Sequence, residues 1–469
     1  MADESADTLI QRIQQEEVKF VDFRFTDLKG KFHHISMDSS QVSQDILLNG
    51  IKFNSSAING WESTKKSDLI LVPDISTIHM DPFYAQSTMI LICNIYDIEF
   101  QPYNRDPRHT AKKALEYLKK TEIGDTLFLG INTEFFVFDN VHYTNSPTES
   151  GFILESTEFP QNGYSKNNDR NAGHHFNICG NDALLPPQDK LHDMRSEIVS
   201  ALKNIGVQVT RYNHTENAAQ HAFDLQYESL LGSADNLQKY KYSAHQVANS
   251  YCKTATFMPK PIGSNNGSGM HLNMSIWKGE TPVFVGDEYG GVSTTCLHYI
   301  GGIIKHAKAL NALTNSSTNS YKRLSGLESP VQLVYSTHHQ SASCRISSEQ
   351  HPTNKNIEIR FADLTANPYL APAAILMAGL DGIINKIHPG QPIDQYLHAM
   401  SSTEQKKIPR ICCSLREALN NLDSDREFLK AGNVFDDDQI DAFIGLKMEE
   451  IIRLEQNPVP VEFEMYYST

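Results

Sequence analysis

Apolar and polar positions change period several times along this chain, and each change predicts an element. Residues 7–17 space their apolar side chains as a short amphipathic helix, and residues 18–25 then alternate, with Phe23 and Phe25 on one face. Asp27-Leu28-Lys29-Gly30 is a turn signal leading to a second strand near residues 32–37, and apolar runs at 69–72 and 89–95 add further strands. Asp106-Pro107 pairs an N-cap with proline at the first helical position and opens a helix to about Lys120. A strand follows from 126 to about 138, then a polar stretch, 143–175, that predicts a long surface excursion. Leu191, Met194, Ile198, Leu202 and Ile205 recur at three or four, so 190–205 reads as a helix closed by Gly206. A strand is expected at 207–214 and buried helices at 295–312 and 371–387. Strands and helices are interspersed throughout, which predicts an α+β chain with a curved sheet backed by helices.

The pattern is densest at residues 253–275. A β-rich run, 254–258, is stopped by Pro259 and Pro261, passes into a Gly/Ser/Asn loop and emerges as an alternating strand, 270–275. That alternation sets His271, Asn273 and Ser275 on one face and Met270, Leu272 and Met274 on the other. A glycine-rich loop admits a ligand close to main chain, and the strand aims polar side chains at it. A plain hairpin turn is the competing reading.

Composition narrows the classes. Lys and Arg total 41 against 56 Asp and Glu, a net charge of −15, which argues against nucleic acid or an anionic membrane as a partner. No run reaches the roughly 20 apolar residues of a membrane span, and the acidic start does not read as a signal peptide. Seven scattered cysteines without a C-x-x-C point to a reduced, cytoplasmic chain. Walker-type, H-E-x-x-H and G-x-S-x-G motifs are absent.

Whole strings carry more. Lys-Thr-Ala-Thr-Phe-Met-Pro-Lys-Pro at 253–261, Asn-Gly-Ser-Gly-Met-His at 266–271, Thr-Asn-Ser-Tyr-Lys-Arg at 318–323, Ile-Glu-Ile-Arg-Phe at 357–361, Ala-Asn-Pro-Tyr-Leu at 366–370 and Met-Ala-Gly-Leu-Asp-Gly-Ile at 377–383 resemble the glutamine synthetase family, bacterial type I. The likeness runs to the last residues, 459–469, an ending that is Pro-rich and then β-prone and aromatic. It implies a β-grasp-like N-terminal domain (1–105) and a larger catalytic-type domain (106–469), whose end, 458–469, forms a strap. It also implies a homo-oligomer of hexameric rings stacked as a dodecamer, in which a neighbour's first domain completes each site. ATP and Mg2+ or Mn2+ are the implied ligands, on weak, incomplete metal sites.

By residue, the resemblance implies metal ligands at Glu134, His271 and Glu358. It implies glutamate contacts at Asn266, Gly267, Arg323 and Arg360, nucleotide contacts at Asn273, Ser275 and Arg345, and a catalytic flap residue, Glu328. A structural ion pair is the alternative for Glu358 and Arg360. Several positions depart from the family. Asn132 and Ala222 stand where metal carboxylates are expected, with Glu216 one residue out of register. Gln340 and Asn356 replace arginines, Asn54 replaces the aspartate that deprotonates ammonium, and the loop at 324–327 is one residue short. His398 falls where the family's adenylylated tyrosine would lie. These losses predict a family member with strongly reduced or lost activity that keeps ligand binding and assembly. An active glutamate–ammonia ligase, or a ligase for another amine, is the alternative.

Overall fold

The computed structural model describes residues 5–61, 68–159, 183–263, 266–325, 329–347, 355–395, 400 and 407–466. Two sheets organise them. The first is built from β1 (Phe20–Thr26), β2 (Phe32–Asp38), β3 (Ile51–Asn54), β4 (Asp68–Met80) and β5 (Thr88–Tyr96), in the order β2-β1-β5-β4-β3. Its central pair, β1 and β5, is parallel, and the outer pairs are antiparallel. Phe23, Leu71 and Leu91 are fully buried there, and helices α1 (Ala6–Gln15) and α2 (Gln44–Asn49) turn Leu9, Ile13 and Leu47 inward. The Ser5 hydroxyl accepts from Thr8 N at 3.2 Å and so starts that helix. This is the expected β-grasp unit.

The second sheet runs β15 (Gln332–Ser336), β16 (Ala342–Ile346), β17 (Ile357–Ile359), β12 (Met270–Lys278), β6 (Thr126–Phe138), β10 (Gln220–Ser229) and β9 (Val209–His214). Short β11 (Thr254–Thr256) adds to β6 and β13 (Thr281–Pro282) to β12; β14 (Val285–Glu288) stands off that path. Helices back it: α3 (Pro107–Lys120), α4 (His192–Asn204), α5 (Leu230–Ser250), α6 (Thr294–Thr314), α7 (Thr318–Leu324) and α8 (Leu370–Ile384). Asp106 caps α3 as the sequence predicts, its carboxylate accepting from Arg108 N at 3.0 Å. The alternation of β12 is kept: Met270, Leu272 and Met274 are buried, while His271 and Asn273 are partly open.

Two expectations change. Part of the polar stretch after β6 is an isolated antiparallel ribbon, β7 (Asn140–Ser146) with β8 (Glu149–Glu155), and the segment 160–182 lies outside the described residues. The chain end, β-prone by composition, forms α12 (Pro460–Tyr466) after α9 (Leu415–Ser424), α10 (Glu427–Lys430) and α11 (Asp437–Glu455). Proline starts α12, and the Glu462 carboxylate reaches back to accept from Val459 N at 2.8 Å. Among the described residues no helix is long and apolar enough to cross a membrane.

Candidate functional site

Strand register lays out the site. Arg211 of β9 pairs with Asp224 of β10, Asp224 with Asn132 of β6, and Asn132 with His271 of β12. Directly opposed residues project from the same face, so four strands present one polar row. One pleat along, Asn213, Ala222 and Glu134 make a second row, and Asn273, Glu358 and Arg345 a third. These rows wall a cavity of about 650 Å³. A second cavity of about 430 Å³ adjoins it and adds Lys260, Asn266, Gly267 and Arg323. Glu134, Glu216, His271, Gln340 and Arg360 line both.

The glycine-rich loop lies against Arg323, and its glycines permit that. A Cβ on Gly267 would sit 2.2 Å from the Pro259 carbonyl oxygen, and one on Gly269 would sit 2.7 Å from Arg323 Nη2. Arg323 is buried and donates through Nη1 to the carbonyls of Phe361 (2.9 Å) and Ala362 (3.1 Å). Glu134 accepts from Gly269 N at 2.9 Å, and Gln220 bridges to the Gly267 carbonyl at 3.3 Å. Asn266 donates to Glu216 at 2.7 Å, which brings that out-of-register glutamate to the cavity wall.

Glu358 is the electrostatic centre. His271 Nδ1 lies 3.1 Å from its carboxylate, Arg345 Nη1 lies 3.4 Å away, and Arg360 Nη1 donates directly to it. Burial acts to raise its pKa, but the hydrogen bond from His271 and the charges of His271, Arg360 and Arg345 outweigh burial and draw it down to about 2. Burial itself lowers His271, Arg323 and Arg360 from their ordinary values. Asp224 is raised by burial against the pull of Arg211, whose Nε donates to it at 2.7 Å.

A carboxyl depressed in the fold lends stability above its unfolded pKa and loses it as the pH falls through the folded value. Glu358→Gln is therefore expected to cost about 3 kcal/mol at neutral pH, at roughly 1.4 kcal/mol per pH unit. The gap from the parent should close between the ordinary value of 4.5 and about 2. Urea unfolding of both proteins across that range measures it; a gap independent of pH would contradict it.

Of the expected site residues, Glu134, Asn266, Gly267, His271, Asn273, Arg323, Arg345, Glu358 and Arg360 come together on the two cavities. Ser275 does not: it is buried, donating to the Lys355 carbonyl at 3.1 Å. Glu328 and His398 lie outside the described residues. Asn54 sits at the end of β3 in the other sheet, its side chain accepting from Ser56 N at 2.8 Å. Asp224 and Arg211 are site residues that sequence reasoning missed. The available signal was period: Asp224 is two residues beyond Ala222, on the same strand face.

Divalent ions were expected on Glu134, His271 and Glu358. Among the described residues no three His, Cys, Asp or Glu side chains converge to hold a metal ion. Glu358 and Asp224 are instead closed by arginines. Asn132, a neutral acceptor, already takes a hydrogen bond from Asn273 at 2.7 Å. As placed, these donors do not fit a pair of ions.

A β-grasp unit joined to a curved sheet that carries two adjoining polar cavities is the α+β architecture expected, with the candidate site on the larger sheet. Family comparison agrees. Residues 17–98 match the glutamine synthetase beta-Grasp domain and residues 104–466 the glutamine synthetase catalytic domain. The chain belongs to the glutamine synthetase family. It is 55% identical over 466 residues to the glutamine synthetase of Rhizobium meliloti (strain 1021), covering 99% of both chains. It is 46% identical over 467 residues to that of Escherichia coli (strain K12), covering 99% of this chain and 100% of the relative. The cryo-electron microscopy structure of Plasmodium falciparum glutamine synthetase superposes with a TM-score of 0.91 at 28% identity, covering 100% of this chain and 99% of that one.

Proposed function

We propose that the protein is a working ATP-dependent glutamate–ammonia ligase. The observation that carries this reading is the pair of joined cavities, whose shared wall holds Glu134, His271, Gln340 and Arg360. The smaller cavity, with Arg323 and Arg360, suits an amino acid carboxylate; the larger, with Arg345 and Arg211, suits the phosphates of a nucleotide. A phosphoryl group passing from one to the other crosses that wall. The glutamate side-chain carboxylate takes the γ-phosphoryl group as ADP leaves, and ammonia then displaces phosphate to give the amide. Full-length identity to glutamine synthetases supports this reading over the expectation of lost activity, which rested on single positions.

ATP, glutamate and ammonia are the reactants of this reading, Mg2+ or Mn2+ its cofactor, and a homo-oligomer in the cytoplasm its setting. The described cysteines are all free, as a reducing compartment requires. A second reading, a ligand-binding member with little turnover, is favoured by the arginines that close Glu358 and Asp224. One assay separates them. Purified full-length protein with these three reactants and Mg2+ or Mn2+ is expected to release glutamine and phosphate in equal amounts, dependent on ATP. Nucleotide binding without glutamine release would select the second reading, and release of amide only with another amine would point to a different acceptor.

A further inference from the structure

We propose that Arg211 is a phosphate-binding cation of the larger cavity, held on station by Asp224, and that it takes over charge which a second divalent ion would supply. The proposal rests on the nucleotide reading of that cavity for its ligand.

The geometry that leads there begins with a neutral residue. Asn132, at the middle of the row Arg211–Asp224–Asn132–His271, cannot recruit a cation as a carboxylate does, and its oxygen is already occupied by Asn273. One strand over, Asp224 supplies a carboxylate, but that carboxylate is paired with a guanidinium instead of standing open. Only Arg211 Nε is used in the pair. Among the described residues its two terminal nitrogens have no hydrogen-bond partner, and the side chain is 72% exposed where it lines the cavity. A guanidinium bound at one edge presents its remaining N–H groups as a fork, which matches phosphate oxygens bidentately.

Charge around the cavity points the same way. Four carboxylates, Glu134, Glu216, Asp224 and Glu358, line it together with three guanidinium groups, Arg211, Arg345 and Arg360. A cavity so nearly balanced has little electrostatic need of two divalent cations. Arg345, 3.4 Å from Glu358 through Nη1, lines the same cavity and sets a second guanidinium there. Arg211 therefore completes a cradle of arginines on opposite sides of the row, and Asp224 fixes its direction without using the donors that face the ligand.

The test uses inorganic pyrophosphate and the intact protein in excess EDTA, by calorimetry. Wild type is expected to bind. Arg211→Ala should weaken binding at least tenfold, and Arg211→Lys should fall between, because an ammonium keeps charge and loses the fork. Asp224→Asn should weaken it several-fold by freeing the guanidinium. Because Arg211 is exposed, unchanged circular dichroism is expected of its variants. Manganese titration followed by electron paramagnetic resonance should show no spin-coupled pair of ions. Equal binding by wild type and Arg211→Ala, no binding in EDTA, or a coupled manganese pair would each overturn the proposal. If glutamine is made but Arg211→Ala binds pyrophosphate as wild type does, this inference alone falls. If Arg211-dependent binding is seen without glutamine, the ligase reading alone falls.

Discussion

Replacing Arg108 with methionine is expected to destabilise the chain by about 3–5 kcal/mol, because it strips a buried charge from partners that stay buried. Arg108 opens α3 and is almost wholly enclosed. Its Nε and Nη2 form a fork on Asp235 of α5 at 3.1 and 2.8 Å. Its Nη1 reaches back to the first sheet, to Asp74 of β4 at 2.9 Å and Asn94 of β5 at 2.7 Å. Tyr369 adds a hydrogen bond to Asp235 at 2.7 Å. One guanidinium thus ties the β-grasp unit to the helices behind the larger sheet, and its loss leaves Asp235 without its counterion. The two tryptophans read the outcome separately, since Trp61 is buried in the first unit and Trp277 lies on β12. Denaturation should show an earlier transition and, with the tie cut, a first unit that unfolds ahead of the second. Adding Asp235→Leu should recover much of the loss, as replacement of a whole buried pair by apolar groups commonly does. A single-variant midpoint within about 0.5 kcal/mol of wild type would show that the network carries no stability.

How much of this was legible in the sequence depended on whether burial leaves a pattern. The strand at β12 was readable because one face is core and the other is cavity, so period two is enforced at each residue. The start of α3 was readable because Asp106 and Pro107 solve two local problems of a helix terminus. The ribbon of β7 and β8 was hidden because both of its faces are largely exposed, and no alternation survives where neither face is buried. The end of the chain read as β-prone from Val461, Phe463 and Tyr466, but Pro460 and the backward reach of Glu462 decide in favour of a helix.

The site shows the same division. Residues inside recognisable strings, such as His271 and Arg360, come together as the resemblance implies, whereas Arg211 and Asp224 lie in a segment where the resemblance breaks. What joins them is cross-strand register, a property of three-dimensional pairing that no single run of residues encodes. Comparing positions one for one therefore counted the carboxylate absent at Ala222 and did not see the one present a pleat away.

Gly267→Ala is expected to lower kcat/KM for glutamate by about a hundredfold, the scale set by a displacement of about 1 Å at a positioned group. The clash is with main chain: the added Cβ would lie 2.2 Å from the Pro259 carbonyl oxygen and 2.9 Å from Arg323 Cγ. That carbonyl cannot swing aside cheaply, since it accepts from Ser268 N at 2.8 Å and so pins the loop it would have to release. Relief moves the loop outward, and with it the Gly267 carbonyl that Gln220 holds and the guanidinium expected to meet the substrate carboxylate. Gly269→Ala meets Arg323 Nη2 at 2.7 Å instead, the end of a flexible side chain, so its effect should be several-fold smaller. Overpacking of this kind costs about 1–3 kcal/mol of stability, so both variants should fold. Steady-state kinetics with glutamate as the varied substrate, beside nucleotide binding by calorimetry, measure the prediction. The loss should fall on glutamate while the nucleotide binds as before. Wild-type kinetics in Gly267→Ala, or a greater loss in Gly269→Ala, would mean that the loop is free to shift and that Arg323 is not positioned by it.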